Sequence, residues 1–323
     1  MKLQTNIPLN PAKNQIEYDS KLLLLGSCFS ENIGDKLKYF KFQNLQNPFG
    51  TLFHPIAIEK LVRNAITGKV YKEQDLFFLN ERWHCFDAHS DLSAPTKQEV
   101  LDNLNNALKL TKKQIELATH IMITLGTAWV YNHTESGNVV ANCHKVPQKE
   151  FEKTLLSINR IEKSLQSILE LIGSVNKKAQ VVFTVSPVRH LKDGFVENKQ
   201  SKAHLISSIH HIISSWALPM ATGTRACEYF CSYEIMMDEL RDYRFYAQDM
   251  IHPNQTAVNY IWEKFREVWI SPKTFSIMNE VDAVQKGLSH RPFDTDSNKH
   301  QKFLEQLELR KEKLQEQFLH ITF

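Results

Sequence analysis

Two patterns of apolar and polar positions alternate along this chain. Short, nearly continuous apolar runs occur at Lys21-Leu25, Ile121-Leu125, Val181-Val185 and, more weakly, Ala226-Phe230. Such runs suit parallel strands covered on both faces. Between them lie segments with helical spacing. Ile56 to Ile66 carries Ile56, Ile58, Leu61 and Ala65, and Val100 to Leu117 carries Val100, Leu104, Leu108 and Ile115. Phe151 to Leu171 and Ala203 to Trp216 read the same way. Strands alternating with helices predict an α/β sandwich around a mostly parallel sheet.

Two stretches break the rhythm. Tyr71 to Ser93 is aromatic-rich (Phe77, Phe78, Trp83, Phe86) and predicts a strand pair or an irregular insertion. Trp129-Tyr131 and Val139-Ala141 flank a polar segment with Gly137-Asn138, which is a hairpin signal. After Val268 the pattern turns helical, with Phe275-Gly287 and Asn298-Phe318 separated by His290-Arg291-Pro292. The expected organisation is therefore one main domain over residues 1–270 and a C-terminal helical extension over 271–323. The extension packs through Phe303, Leu307, Leu314 and Phe318, and the same apolar edge could serve an oligomer contact.

Composition narrows the class. The chain has 323 residues, 42% hydrophobic, enough for a sizeable core. A formal charge of +3 with mixed signs gives no reason to expect nucleic acid or an anionic membrane as partner. No apolar stretch reaches the roughly 20 residues that cross a bilayer, and Met1 to Ser20 shows no secretory apolar core. Five cysteines with neither CxxC nor zinc-knuckle spacing fit reduced thiols and a cytoplasmic location. Without a dinucleotide fingerprint, a phosphate-binding loop or a His-Glu-x-x-His motif, no cofactor or metal is expected.

The chemistry concentrates at the two ends. Gly26-Ser27-Cys28-Phe29 follows the first apolar run. A serine leaving a parallel strand presents Oγ at the sheet's carboxyl edge, and a following helix points N–H groups at an oxyanion. The plainer alternative is that Ser27 only caps that helix. Asp249 and His252 lie three residues apart, a spacing that lets the carboxylate hold one imidazole nitrogen and leave the other for Ser27. Pro253 keeps His252 out of helix, and Asn254 reads as the cap of the next one. Asp87 and His89 read as a structural pair or as groove lining. Arg189 reads either as a clamp on the substrate or as a bridge between loops.

Gly26-Ser27-Cys28-Phe29, followed by Ser30 where alanine is usual, resembles the motif that names the GSCFA domain family. So, in order, do Asn47-Pro48-Phe49-Gly50-Thr51, Leu125 to Tyr131, Asn142 to Pro147, Thr184 to His190, and Tyr243 to Ala247 leading into Asp249…His252-Pro253. The resemblance spans roughly residues 20 to 270. That family is similar to the SGNH (GDSL-like) hydrolases, which implies a three-layer α/β/α sandwich on a flavodoxin-like parallel sheet.

The resemblance also implies roles. Ser27 would be the nucleophile, His252 the general base and Asp249 its orienting acid, with the N–H groups of Ser27 and Gly50 in the oxyanion hole. The third block departs from the pattern, because Gly126-Thr127-Ala128-Trp129 lacks the expected asparagine. Loss of one such donor costs roughly 10²- to 10³-fold in rate. Trp129 and Asn142 are the expected substitutes in the hole, and Thr127, His144, Arg189 and His89 the expected substrate contacts. The implied activity is hydrolysis of an acyl ester, with acetyl the candidate group, on a carbohydrate or similar alcohol. The alternatives are acyl transfer on the same triad and a catalytically silent module that binds a carbohydrate or a partner.

Overall fold

The structure, a computed structural model, describes residues 4–216, 227–295 and 297–323. Five strands form one parallel sheet: β1 (Lys21–Gly26), β2 (Gln43–Gln46), β5 (His120–Leu125), β9 (Gln180–Val185) and β10 (Cys227–Phe230), ordered β10-β9-β5-β1-β2. This is the flavodoxin-like order. The chain steps to one side of β1 for β2 and to the other for β5, so the carboxyl end of β1 lies at the switch point where α/β folds bind ligands. The expected strand at Ala226-Phe230 is present from Cys227, and Ala226 lies outside the described residues.

Alternation along the central strands divides the core into two layers. Leu23, Leu25, Ile121, Ile123, Val181 and Phe183 face one side. There they meet α2 (Pro55–Thr67), α3 (Lys97–Leu117), α4 (Ile158–Val175) and α5 (Phe195–Trp216). Leu22, Leu24, Met122 and Val182 face the other side, against α1 (Cys28–Tyr39) and α7 (Gln255–Trp269). The short α6 (Ser232–Glu234) follows β10. The result is the three-layer α/β/α sandwich with insertions.

α8 (Phe275–Ser289) and α9 (Asn298–Gln317) extend the second layer. Phe303, Leu307, Leu314 and Phe318 all join that core, and Leu307 and Leu314 are buried. Phe303, Leu307 and Phe318 thus pack at least in part against this core.

Two insertions carry their own small sheets. β3 (Phe77–Leu79) and β4 (Arg82–His84) form a hairpin whose turn residues Asn80 and Glu81 both have positive φ. β6 (Trp129–His133) pairs with β7 (Val139–Val140), as the hairpin signal predicts, and also with β8 (Phe151–Leu155). The expected helix from Phe151 is therefore corrected. Residues Phe151–Leu155 are a strand, and the helix starts after Ser157, whose Oγ accepts the Arg160 N–H. β2 escapes the apolar-run reading because Leu45 is its only apolar residue, as suits an edge strand with one neighbour.

Candidate active site

Ser27 sits where β1 becomes α1. Gly26 has φ +133°, and a side chain there would begin 2.1 Å from the Thr124 carbonyl oxygen, so only glycine passes this close to β5. Ser27 is fully buried and extended, and its Oγ accepts the Phe29 N–H at 3.3 Å. It caps α1, as the plainer reading had it, and stands at the positive end of that helix. Its own N–H donates to Thr124 O at 3.0 Å, and the Gly50 N–H donates to Asn47 O at 2.7 Å. Neither of these expected oxyanion donors is free in this structure.

Asp249 and His252 form a tight unit. Asp249 Oδ2 lies 2.6 Å from His252 Nδ1, while Oδ1 accepts the N–H groups of Ile251 (2.9 Å) and His252 (3.0 Å). The His252 side-chain bond, followed by the two backbone bonds, lowers the Asp249 carboxyl to about 2. Met250, between them, holds φ at 58°. Among the described residues His252 Nε2 has no hydrogen-bond partner, and Ser27 Oγ is not bonded to it. Asn254 caps α7 through Ala257 N–H, so the pair is fixed in the turn just before that helix.

Arg189 resolves toward the bridging reading. Its backbone N–H donates to Ile251 O (3.1 Å) and its guanidinium to Met250 O (3.0 Å). The guanidinium also lies over the rings of Phe195, Tyr243 and Tyr246. The loop of His252 is thereby tied to the segment leaving β9, next to His190.

The expected substitutes for the missing asparagine lie elsewhere. The Trp129 indole N–H donates to Glu197 O at 3.2 Å and is spent. Asn142 Oδ1 accepts His144 N–H, closing a turn in which His144 has φ 49°. His144 is buried, with Nε2 on Cys85 O (2.8 Å) and Nδ1 on Ser90 Oγ (3.1 Å), so both ring nitrogens serve the aromatic insertion. Burial lowers it to about 4. Thr127 Oγ1 meets Ser201 Oγ at 3.1 Å and accepts the Trp129 N–H. His89 packs against Gly50, where a side chain would begin 2.3 Å from His89 Cβ. His89 Nδ1 lies 3.0 Å from Asp91 Oδ2, outside hydrogen-bond geometry. Asp87 pairs instead with Lys60 at 2.6 Å and with the Tyr71 hydroxyl, which corrects the expected Asp87–His89 pair.

The sequence reading missed the inner face of α5. That helix starts eight residues before the expected Ala203, so Asn198, Ser201 and Lys202 become helical and buried. They support the strand ends. Asn198 Oδ1 accepts His190 N–H, Ser201 Oγ accepts Ala128 N–H, and Lys202 Nζ donates to Gly126 O and Ser186 O, both at 2.7 Å. Burial, offset by Cys28 and aided by Lys199, lowers Lys202 to about 7.

The GSCFA family matches residues 21–265. The chain belongs to the GSCFA family. A second model, described as GSCFA domain protein, C-terminal domain, matches residues 281–323, which takes in most of α8 and all of α9. Among solved structures, this GSCFA protein is similar to a carbohydrate esterase family 3 protein from Talaromyces cellulolyticus. The identity is 9% and the TM-score 0.37, covering 81% of this chain and 99% of that one. No curated protein matches it. Among the described residues, no helix is long and apolar enough to cross a membrane, and no group of three or more His, Cys, Asp or Glu side chains is arranged to hold a metal ion.

Proposed function

We propose that this GSCFA protein is an SGNH-type serine esterase, with Ser27 as nucleophile, His252 as general base and Asp249 as the group orienting it. One observation carries the reading: the 2.6 Å contact between Asp249 and His252 Nδ1, which leaves Nε2 unpartnered. A carboxylate on Nδ1–H fixes the tautomer in which Nε2 accepts a proton, and it stabilises the imidazolium that follows. The Ser27 turn and the His252 loop both belong to the carboxyl edge of the sheet, the second of them through Arg189. As Oγ attacks an acyl carbonyl, His252 would take its proton, and the α1 N-terminus would favour the developing negative charge. Family resemblance supports an acylated carbohydrate as substrate, with acetyl as the acyl group. The exposed rings of Phe195 and Tyr243 beside the loop would suit a sugar face. Five free cysteines fit the proposed cytoplasmic setting.

A fluorophosphonate probe and p-nitrophenyl acetate test this with wild type, Ser27→Ala and His252→Ala. Labelling and turnover in wild type alone support the triad. The complete burial of Ser27 and the engaged N–H groups of Ser27 and Gly50 favour a second reading, a silent carbohydrate-binding module. No labelling of a folded wild type, with sugar binding that survives Ser27→Ala, would select it.

A further inference from the structure

Ala128 stands where the third block would supply an asparagine. It is fully buried, and its N–H is spent on Ser201 Oγ. His190 Nε2 is buried and has no hydrogen-bond partner among the described residues. Gly126 shows what it faces. A side-chain carbon built on Gly126 would lie 3.1 Å from His190 Nε2, 3.2 Å from Phe53 O and 3.4 Å from Ser27 Cβ. His190 Nε2 and Ser27 Cβ thus both lie within contact distance of that one point, and the missing side chain at Gly126 is what lets imidazole and serine come this close. A buried polar atom without a partner costs stability. It is retained most readily where a ligand completes it.

We infer that His190 donates its Nε2–H to the acyl oxygen of a substrate at Ser27, supplying the oxyanion contact that the missing asparagine would make. This rests on Ser27 being the nucleophile. The ring is held for the task. Its backbone N–H is fixed by Asn198 Oδ1 at 2.9 Å, and its edge meets the Phe53 ring at 5.7 Å and 77°. Burial, then the charges of Lys202 and His252, push the imidazole down to about 3. It is therefore neutral at ordinary pH, carrying one ring proton, which the inference assigns to Nε2.

The step balances without a further reactant. Ser27 Oγ bonds to the acyl carbon, the carbonyl pair moves onto oxygen, and the serine proton passes to His252. His190 hydrogen-bonds the oxyanion without losing its proton. Collapse reforms the carbonyl and expels the alcohol, which takes the proton from His252. Lys202, by holding Gly126 O and Ser186 O, fixes the two backbone segments on which the approach of His190 to Ser27 depends.

The test compares full-length wild type, His190→Phe and His190→Gln. The readouts are kcat and KM on p-nitrophenyl acetate, the rate of fluorophosphonate labelling, and the thermal midpoint. His190→Phe is expected to lose roughly 10²- to 10³-fold in kcat with little change in KM. Its midpoint should equal or exceed that of wild type, because the orphaned polar atom is gone. His190→Gln keeps a donor and should recover at least about tenfold over Phe, which a lost base could not do. His190→Ala replaces Phe in the comparison if the ring is not accommodated. Equal losses in Phe and Gln with lowered midpoints would assign a packing role and overturn the inference. So would a His190→Phe enzyme that labels and turns over like wild type, and this leaves the Ser27 reading standing. A folded wild type that neither labels nor turns over removes both.

Discussion

Arg189 donates its guanidinium to the carbonyl of Met250, at 3.0 Å, across the gap between the β9 exit and the loop that precedes α7. Met250 is a non-glycine residue at φ 58°, a conformation that needs support from its surroundings. The contact supplies that support and sets the position of Asp249 and His252 on either side. Arg189 thus ties down the loop that carries the proposed base.

Arg189→Ala should loosen this loop while leaving both core layers intact. A displacement of about 1 Å at a reacting group costs on the order of 100-fold. We expect kcat on p-nitrophenyl acetate to fall by roughly 10- to 100-fold, with a near-normal thermal midpoint. Arg189→Lys should rescue little, since an ammonium cannot reproduce the planar stacking on Phe195, Tyr243 and Tyr246. A large rise in KM at unchanged kcat would instead return Arg189 to substrate binding.

The two glycines at the switch point should answer differently to alanine. Gly26→Ala meets a backbone oxygen of β5 at 2.1 Å from a residue with φ +133°, and neither can yield. A loss of more than about 4 kcal/mol is expected, read as insoluble protein or a collapsed melting transition. Gly126→Ala meets its neighbours at 3.1–3.4 Å, and small shifts can absorb it. That variant should fold, with a cost of about 1–2 kcal/mol, yet label with fluorophosphonate at least tenfold more slowly because the methyl would press on both His190 Nε2 and Ser27 Cβ. Fast labelling of a folded Gly126→Ala protein would argue that the close approach of His190 and Ser27 has no part in catalysis.

Lys202 should make stability depend on pH. Its folded-state value of about 7 lies below its ordinary 10.5, so between those limits the unfolded chain binds more protons. Stability from this group therefore rises from pH ~7 to ~10.5, and it is lost as pH falls through about 7. Lys202→Met removes the effect and strips two buried carbonyls of their donor. The destabilisation it causes, read by urea unfolding, should be larger at pH ~9 than at pH ~6 by roughly 2 kcal/mol. Equal values at the two pH settings would mean that Lys202 stays charged throughout.

Removal of residues 298–323 tests what the last helix does. Leu307, Leu314 and Ile321 are buried against the second core layer. At about 1.5–3 kcal/mol for each side chain, truncation should cost roughly 5 kcal/mol and lower the melting midpoint sharply. Sedimentation of the full chain should not depend on Phe303, Leu307 or Phe318 as an exposed contact. A truncated protein that melts like the full chain would show that this helix contributes nothing to the core.

By itself, the sequence determined the features that depend on neighbours along the chain. The apolar runs β1, β5 and β9, the helix periodicities, the Asn254 cap and the Asp249–His252 pair are all local. An amphipathic period or a three-residue spacing acts through bonds close in sequence. Tertiary structure decided what depends on who lies opposite. Phe151–Leu155 became a strand because β6 offered it a partner, overriding an ambiguous period. Trp129 lost its expected donor role to the Glu197 carbonyl, 68 residues away. Lys202 lies just before the helix that the periodicity predicts, and it is buried where two strand ends turn their carbonyls toward it. The imidazole of His190 gained significance only through its closeness to Gly126 beside Ser27. Distances of that kind are set by the packing of three strand ends, and no pattern within any one segment encodes them.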